Sequence, residues 1–413
     1  MTLTVVFTGA GAVLLSGCER LSTASIQPSK DNDASHITAT SQTRVVDANL
    51  PMPTQTLNCS DIDSQQVITV KGHLKLAKGC DLTGKGVRFN LDSTNTSFDC
   101  NGAVLSALEG DQDNKSAITI APKTDQAIGN IAVANCHVSG YGHALHIRQK
   151  TNPNVRYAKG FIDPDANRAL APHDIRIVNL SSTNSGNSGI FVGDHVHHVS
   201  FDKLTIMRSG TVGLYLEFGS QYNTVQNSVF ADNGYRSFKP NREAIAVDSS
   251  SFNTIKDNQF IHNGAGAVFL YRNCFEHAND ASQSNHFKRT ESAANNIISG
   301  NTFRDEPVGV WVASRQSRNL KGFECGAYPL AETMLASYYI DSAKNNIIKD
   351  NTFINIDNGI IVEDDGTQII DNDFRQIRGT PYQVGSEIRQ KYADKVSGLS
   401  PDIKGTLIEG NKL

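Results

Sequence analysis

The stretch Asn253–Tyr271, NTIKDNQFIHNGAGAVFLY, decides the fold. Its first half, NTIKDNQF, returns as NNIISGNTF at Asn295–Phe303, NNIIKDNTF at Asn345–Phe353 and TQIIDNDF at Thr367–Phe374. Each copy carries one or two Ile and then an Asn two residues before a Phe. LIEGNKL at the C-terminus fits with Leu413 in place of Phe, and VSFDKLTI from Val199 and NIAVANCHV from Asn130 are more worn versions. The later AVFL belongs to a second series: ALHI at Ala144, GIFV at Gly189, GLYL at Gly213, AIAV at Ala244, AVFL at Ala267, GVWV at Gly309 and GIIV at Gly359. A small residue followed by apolar, variable, apolar is period-two strand patterning, too short and too β-branched for helices. From Gly189 to Gly213 is 24 residues, the length of one coil of a parallel β-helix. The recurring Asn suits a sharp bend, where a short amide bonds backbone groups and the Asn of the next coil.

Composition agrees. The 413 residues carry 33 Gly and a single Trp, which suits turns and short strands. A net charge of only -4 argues against a general nucleic-acid binder. On these repeats the chain resembles the right-handed parallel β-helix proteins of the pectate-lyase-like superfamily, including the NosD-type repeat proteins. The resemblance implies an all-β solenoid of roughly 9–11 coils with long loop insertions in the middle coils. It is specific for fold and weak for function, because related folds serve as lyases, hydrolases, uronate epimerases, adhesins and phage tailspikes.

The N-terminus reads separately. Val5–Leu15 is a short apolar run, too short to span a bilayer, and Leu15-Ser16-Gly17-Cys18 resembles the bacterial lipobox. The expected organisation is a lipoprotein signal over 1–18, a Ser/Thr/Asp/Gln-rich tether over 19–56 and a β-helix over 57–413. Cys18 would carry the lipid, and Glu19 after it favours the outer over the inner membrane. Export also changes how the other six cysteines read. Cys59–Cys80 and Cys100–Cys136 near the N-terminal end, and Cys274–Cys325 joining two long loops, are the expected disulfides.

Stacking the second series in register exposes the candidate site. The outward position between the apolar pair is His146, Phe191, Tyr215, Ala246, Phe269, Trp311 and Ile361 in successive copies. The next outward position is Arg148, Gly193, Glu217, Asp248, Tyr271, Ala313 and Glu363, with Arg272 one further on. An aromatic stripe thus runs beside an ionisable one, on coils about 4.8 Å apart. Rings stack on sugar faces, and carboxylates and guanidinium groups hold hydroxyls or uronate groups. Glu217, Asp248, Tyr271 and Arg272 are the catalytic candidates. Tyr215, Phe269, Trp311, Arg242, Glu243, Arg315, His146 and Arg148 are the substrate-binding ones. Insertions in the middle coils, which also supply Tyr235, Arg236, Lys239, Glu276, His277, Arg289 and Arg318, would wall a groove.

Two reactions fit these groups. A hydrolase would use Glu217 and Asp248 as acid and base. A lyase or epimerase would neutralise a uronate carboxyl with Arg272 or Arg242 while Tyr271 or a nearby His moved the proton. The class alternative is a non-catalytic glycan-binding or structural envelope lipoprotein. Ala171–Asp174, APHD, is similar to the Asp-Pro-His-Asp/Glu signature of mannuronan epimerases, with Ala171 replacing the first Asp, and makes His173 and Asp174 secondary candidates. The DHVHH run (Asp194, His195, His197, His198) lacks a clear third metal ligand. No cofactor is indicated, although a Glu beside an Asp could also hold a structural cation such as calcium. The expected partner is an anionic polysaccharide, and the expected state a monomer in the periplasm or at the cell surface.

Overall fold

The computed structural model describes residues 48–108, 115–150, 163–237, 239–279 and 288–413. They fall in one compact unit spanning 43–413. Cys18, the expected signal and most of the expected tether lie outside the described residues.

The small-apolar-variable-apolar phrases form one parallel sheet of eleven strands. In chain order these are β1 (Val67–Val70), β2 (Arg88–Leu91), β3 (Ser116–Ile120), β4 (His143–Ile147), β5 (Ile190–Val192), β6 (Leu214–Leu216), β7 (Glu243–Asp248), β8 (Gly266–Tyr271), β9 (Val308–Val312), β10 (Asn358–Val362) and β11 (Tyr382–Val384). Each pairs only with its neighbours in this order, so every coil adds one strand. The Asn-x-Phe phrases form the larger sheet, again parallel between coils. That sheet is creased where left-handed residues recur in register, among them Asn135, Asn179, Asn227, Asp257 and Asp350. Asn and Asp tolerate this conformation better than bulkier residues, which is why they mark the bend.

Inside, the repeated residues stack on their own copies. Phe230, Phe260, Phe303, Phe353 and Phe374 form a ladder with centroid spacings of 5.3, 5.0, 4.7 and 4.8 Å. Beside it runs an amide ladder. The Asn301 Oδ1 accepts from both the backbone N–H and the Nδ2 of Asn258, at 3.0 Å each. Its own Nδ2 donates to Ile255 O and to Asn351 Oδ1. The pattern continues to Asn372 and Asn411. Every polar atom of these buried amides is used, which is the condition for burying them without penalty.

All three expected disulfides are present: Cys59–Cys80, Cys100–Cys136 and Cys274–Cys325. One boundary differs from expectation. Residues 48–56, read as the end of the tether, already belong to the β-helix unit. Gln55–Leu57 pairs with His73–Leu76, and Ala48 packs against Ala134 and Val178. The segment is polar enough to read as linker, but it covers apolar residues on the outside of the larger sheet.

Candidate functional site

The outward register is as the phrases imply. Cα partners run His146–Phe191–Tyr215–Ala246–Phe269–Trp311–Ile361 across β4 to β10, and Asp248 stands beside Tyr271. No bulge flips the phase. Exposure, however, splits the stripe in two. His146, Phe191 and Tyr215 are half-buried and touch in sequence, at 5.1 Å edge-on and 5.2 Å stacked. Burial holds the His146 imidazole down to about 3, helped by His143 and Arg148, so it is neutral at physiological pH. Phe269 is instead buried in a second small apolar cluster with Val212, Ala246, Tyr271, Val308 and Ile361, and meets Trp311 edge-on at 5.4 Å. Arg148, two residues after His146, is exposed and donates to the Gln149 carbonyl.

The ionisable stripe lies under the insertions rather than in an open groove. Asp248 accepts from Tyr215 O–H at 2.6 Å, Ser249 O–H at 2.8 Å and the Asn273 backbone N–H at 3.1 Å. Asn273 is placed by an Asx turn, its Oδ1 accepting from Phe275 and Glu276 N–H, and the next residue is pinned by the Cys274–Cys325 bond. Glu217 pairs with Arg289 Nη2 at 3.2 Å. Burial pushes the Glu217 carboxyl up to about 7; Arg289 opposes this and Asp248 adds to it. Arg289 also lies 4.7 Å over the Phe218 ring.

A second knot adjoins the first. Arg242 donates to Glu243 Oε1 at 2.9 Å and to the Tyr271 hydroxyl at 3.0 Å. Arg315 bonds Glu276 at 2.5 Å, and its guanidinium carbon lies 4.5 Å from the Tyr271 ring centroid. Burial would raise the Glu243 and Glu276 carboxyls, but Arg242 and Arg315 respectively pull both below the usual range. Burial raises the Tyr271 and Tyr215 phenols instead, so neither ionises readily. Arg318 is close enough to Arg315 for burial and that neighbour to lower its basicity.

One candidate is misplaced by sequence reasoning. Arg272 leaves the cluster: its guanidinium carbon sits 3.5 Å from the Tyr328 ring centroid, Nη2 donates to Ile340 O, and its backbone N–H donates to Asp341. Side chains alternate along a strand, so Tyr271 and Arg272 cannot share a direction. The expectation that the insertions wall a groove is likewise corrected, because they cover Asp248, Glu243 and Tyr271 completely enough to bury them.

Sequence reading also missed a neighbouring network. Glu291 accepts from Arg168 at 3.0 Å and Gln221 at 2.9 Å and faces His195 Nε2 at 3.3 Å. Gly219 lies against it with φ +72, and a Cβ there would collide with the Glu291 carboxylate and the His195 ring. The surrounding Gly in FGSQ was the available signal. His173 is remote from the carboxylates' bonds: it pairs with its neighbour Asp174 at 2.8 Å and stacks on His197 at 5.2 Å. Tyr235, Arg236 and Lys239 form a small hairpin outside the cluster.

The family described as "Right handed beta helix region" matches residues 116–321, and the one described as "Periplasmic copper-binding protein (NosD)" matches 231–412. Among its described residues, the second stretch offers no ligand set that fits copper. Its described imidazoles are the separate His262 and His277, Cys274 and Cys325 are joined to each other, and no group of three or more metal-ligating side chains converges among the described residues. No curated protein matches the chain. Among solved structures it is similar to the catalytic domain of a GH87 alpha-1,3-glucanase in complex with nigerose (10% identity, TM-score 0.44, covering 87% of this chain and 64% of that one). It is also similar to the tailspike protein of E. coli bacteriophage HK620 in complex with pentasaccharide (12%, 0.45, 86% and 59%). A third is an alginate lyase from Paenibacillus sp. (13%, 0.40, 78% and 98%). The chain therefore spans under two thirds of the length of the first two, and at these identities the likeness is one of fold alone. With the coil register, the in-register Asn and Phe ladders and the family match in agreement, the chain is a right-handed parallel β-helix protein.

Proposed function

We propose that this protein binds and hydrolyses an acidic polysaccharide across the outer face of the eleven-stranded sheet. The observation that carries the reading is the Tyr215–Asp248 hydrogen bond of 2.6 Å, which joins the end of the open ring row His146–Phe191–Tyr215 to a carboxylate beside Glu217. Sugar rings would lie on the aromatic row. Glu217, with its carboxyl near 7, suits the general acid that protonates a leaving oxygen. Asp248, oriented by Tyr215, Ser249 and Asn273, would act as base or nucleophile. The raised phenols of Tyr215 and Tyr271 count against a lyase or epimerase that needs a phenolate. Arg242, a quarter exposed, and the exposed Arg148 supply the positive charge for an anionic chain.

One observation favours a second reading, glycan binding without turnover: Asp248 is 0% exposed and Glu217 only 7%. Incubation with alginate, pectate and capsular glycans separates the two. Product release by wild type that disappears in Asp248→Asn and in Glu217→Gln supports hydrolysis. Binding with no product from any polymer supports the second reading and sinks the first.

Three disulfides suit an oxidising compartment, so the same proposal puts the protein in the periplasm or at the cell surface. Cys18 would anchor it to lipid, with the outer membrane favoured. Labelled palmitate should enter the wild type and not Cys18→Ser.

A further inference from the structure

A concavity of about 500 Å³ is lined by neither Glu217 nor Asp248. It is formed by Asn184, Arg208, Asp232, Tyr235, Ser237 and His262. Four of these occupy the bend that leads each coil into the eleven-stranded sheet, so they project from successive coils. All four have positive φ: 56° for Asn184, 54° for Arg208, 55° for Asp232 and 52° for His262. Asn and Asp tolerate that conformation. Arg and His adopt it less readily; the bend repeated in every coil imposes it on Arg208 and His262, as it does on Asp305, Asn355 and Gln376 further along.

The side chains are organised into a fixed chain. Asp232 Oδ1 holds His262 Nδ1 at 2.8 Å, and His262 Nε2 meets the Tyr235 hydroxyl at 3.2 Å. The Tyr235 and His262 rings lie 5.4 Å apart, 28° from parallel. Tyr235 stands on the antiparallel pair Tyr235–Arg236 and Lys239–Pro240. The base of that hairpin is closed by Gly234 O accepting from Asn241 and Arg242 N–H, at a φ of +79° where a Cβ would strike the Arg242 carbonyl. Opposite, Arg208 donates from Nε to Asn184 Oδ1 at 2.9 Å, which fixes the guanidinium plane, and its Nη atoms make no hydrogen bond to a described residue. The second Asp232 oxygen and the Ser237 hydroxyl make no hydrogen bond to a described residue.

We infer that this concavity is a second, non-catalytic subsite that seats one uronate unit of an acidic glycan. Its pyranose would lie against the Tyr235–His262 pair, its carboxylate on the Nη edge of Arg208, and its hydroxyls on Asp232 and Ser237. A planar carboxylate meeting a guanidinium whose plane is already set is the strong bidentate case. The subsite precedes β7 and Asp248 ends it, so the two are separated by roughly a strand's length, about 20 Å. Several sugar units of one polymer would bridge that distance, and the subsite would hold the chain while the carboxylates turned over. The inference rests on the acidic-glycan reading above.

The test uses the full chain carrying Asp248→Asn, so that ligand is not consumed, and titrates it with alginate and polygalacturonate oligomers and with neutral cello-oligosaccharides. Adding Tyr235→Ala or Arg208→Ala should weaken polyuronate binding by about tenfold or more, with unchanged circular dichroism. Arg208→Ala should do so only for the charged oligomers. Affinities within twofold of the Asp248→Asn parent in both variants would overturn the subsite and leave the glycan reading intact. A parent that binds neutral oligomers and no polyuronate would overturn the subsite together with the acidic substrate, and would leave only hydrolysis of a neutral glycan standing. Polyuronate binding that depends on Tyr235, with no product release by wild type, would support the subsite while the hydrolytic reading fell.

Discussion

The inner Asn ladder and the outer charged cluster bury polar groups in opposite ways. Asn258, Asn301, Asn351 and Asn372 are neutral, identical and fully bonded from coil to coil. Glu217, Glu243, Asp248, Arg242, Arg289 and Arg315 are charged or chargeable and unlike one another, and they gather around β6 to β9. The ladder solves one problem, the unpaired backbone of a bend, and repeats the solution. The cluster removes several charges from water, which costs more than the pairs return unless each is well bonded. A β-helix does not need it to stand. The difference separates two kinds of residue: self-stacking residues build the scaffold, and residues that break the repeat make up the cluster to which the proposed function assigns the chemistry.

The sharpest way to break that comparison is Asn301→Ala. It orphans two buried donors on Asn258 and strands Ile255 O, so unfolding in urea should show a loss of about 4 kcal/mol. A loss below about 1 kcal/mol would make the ladder ornamental.

Next comes pH. Burial pushes the Glu363 carboxyl up to about 8 from 4.5, and nearby Asp341 adds to this. Folding therefore favours its protonated form. Its stabilising contribution is complete below pH 4.5, shrinks above that and is gone past about 8. Burial gives Asp341 the same sign up to about 6 and Glu217 the same sign up to about 7. Thermal melts should thus show stability falling between pH 5 and 8, by up to about 1.4 kcal/mol per pH unit for each titrating group. Glu363→Gln should flatten its share of the slope. The Asn ladder, having nothing to titrate, should leave its variants' slopes unchanged.

Most of the scaffold was legible because it repeats. A residue that stacks on its own copy leaves a period in the sequence, and Ile, Asn and Phe did so. Even the outward register of Tyr215, Asp248 and Tyr271 followed from strand alternation alone. What failed was exposure. Whether an outward residue meets solvent depends on the path of the insertions, which have no period, and here they roof Asp248 and Phe269. Asn273, Glu291 and Arg168 stayed hidden for the same reason: they reach their partners through turns and a short helix, Pro164–Arg168, that stacking does not predict.

A smaller effect separates Glu217 from its neighbours. Arg289 is the partner that restrains its carboxyl, so Arg289→Met should move the Glu217 titration, followed by carboxyl carbon NMR, to higher pH by on the order of one pH unit. An unchanged midpoint would mean that Arg289 only packs on Phe218. If Glu217 is the general acid, the alkaline limb of the rate profile should move with it.

The smallest effect is expected at Arg272, one residue from Tyr271 and on the opposite side of the strand. Its side-chain contacts run to Tyr328 and Ile340, inside the loop that follows β9, and none reaches Glu217, Asp248 or Tyr271. Arg272→Ala removes a cation–π contact and one hydrogen bond to a carbonyl, so stability should drop by about 1 kcal/mol. Glycan binding and product release should stay within twofold of wild type, whereas Arg242→Ala, which strips Glu243 and the Tyr271 hydroxyl of their shared donor, should lower both. If Arg272→Ala instead abolished turnover at unchanged stability, the loop would have to reach the carboxylates in the working protein. The division between a scaffold side and a chemical side of β8 would then fail at the residue where the strand alternation draws it most clearly.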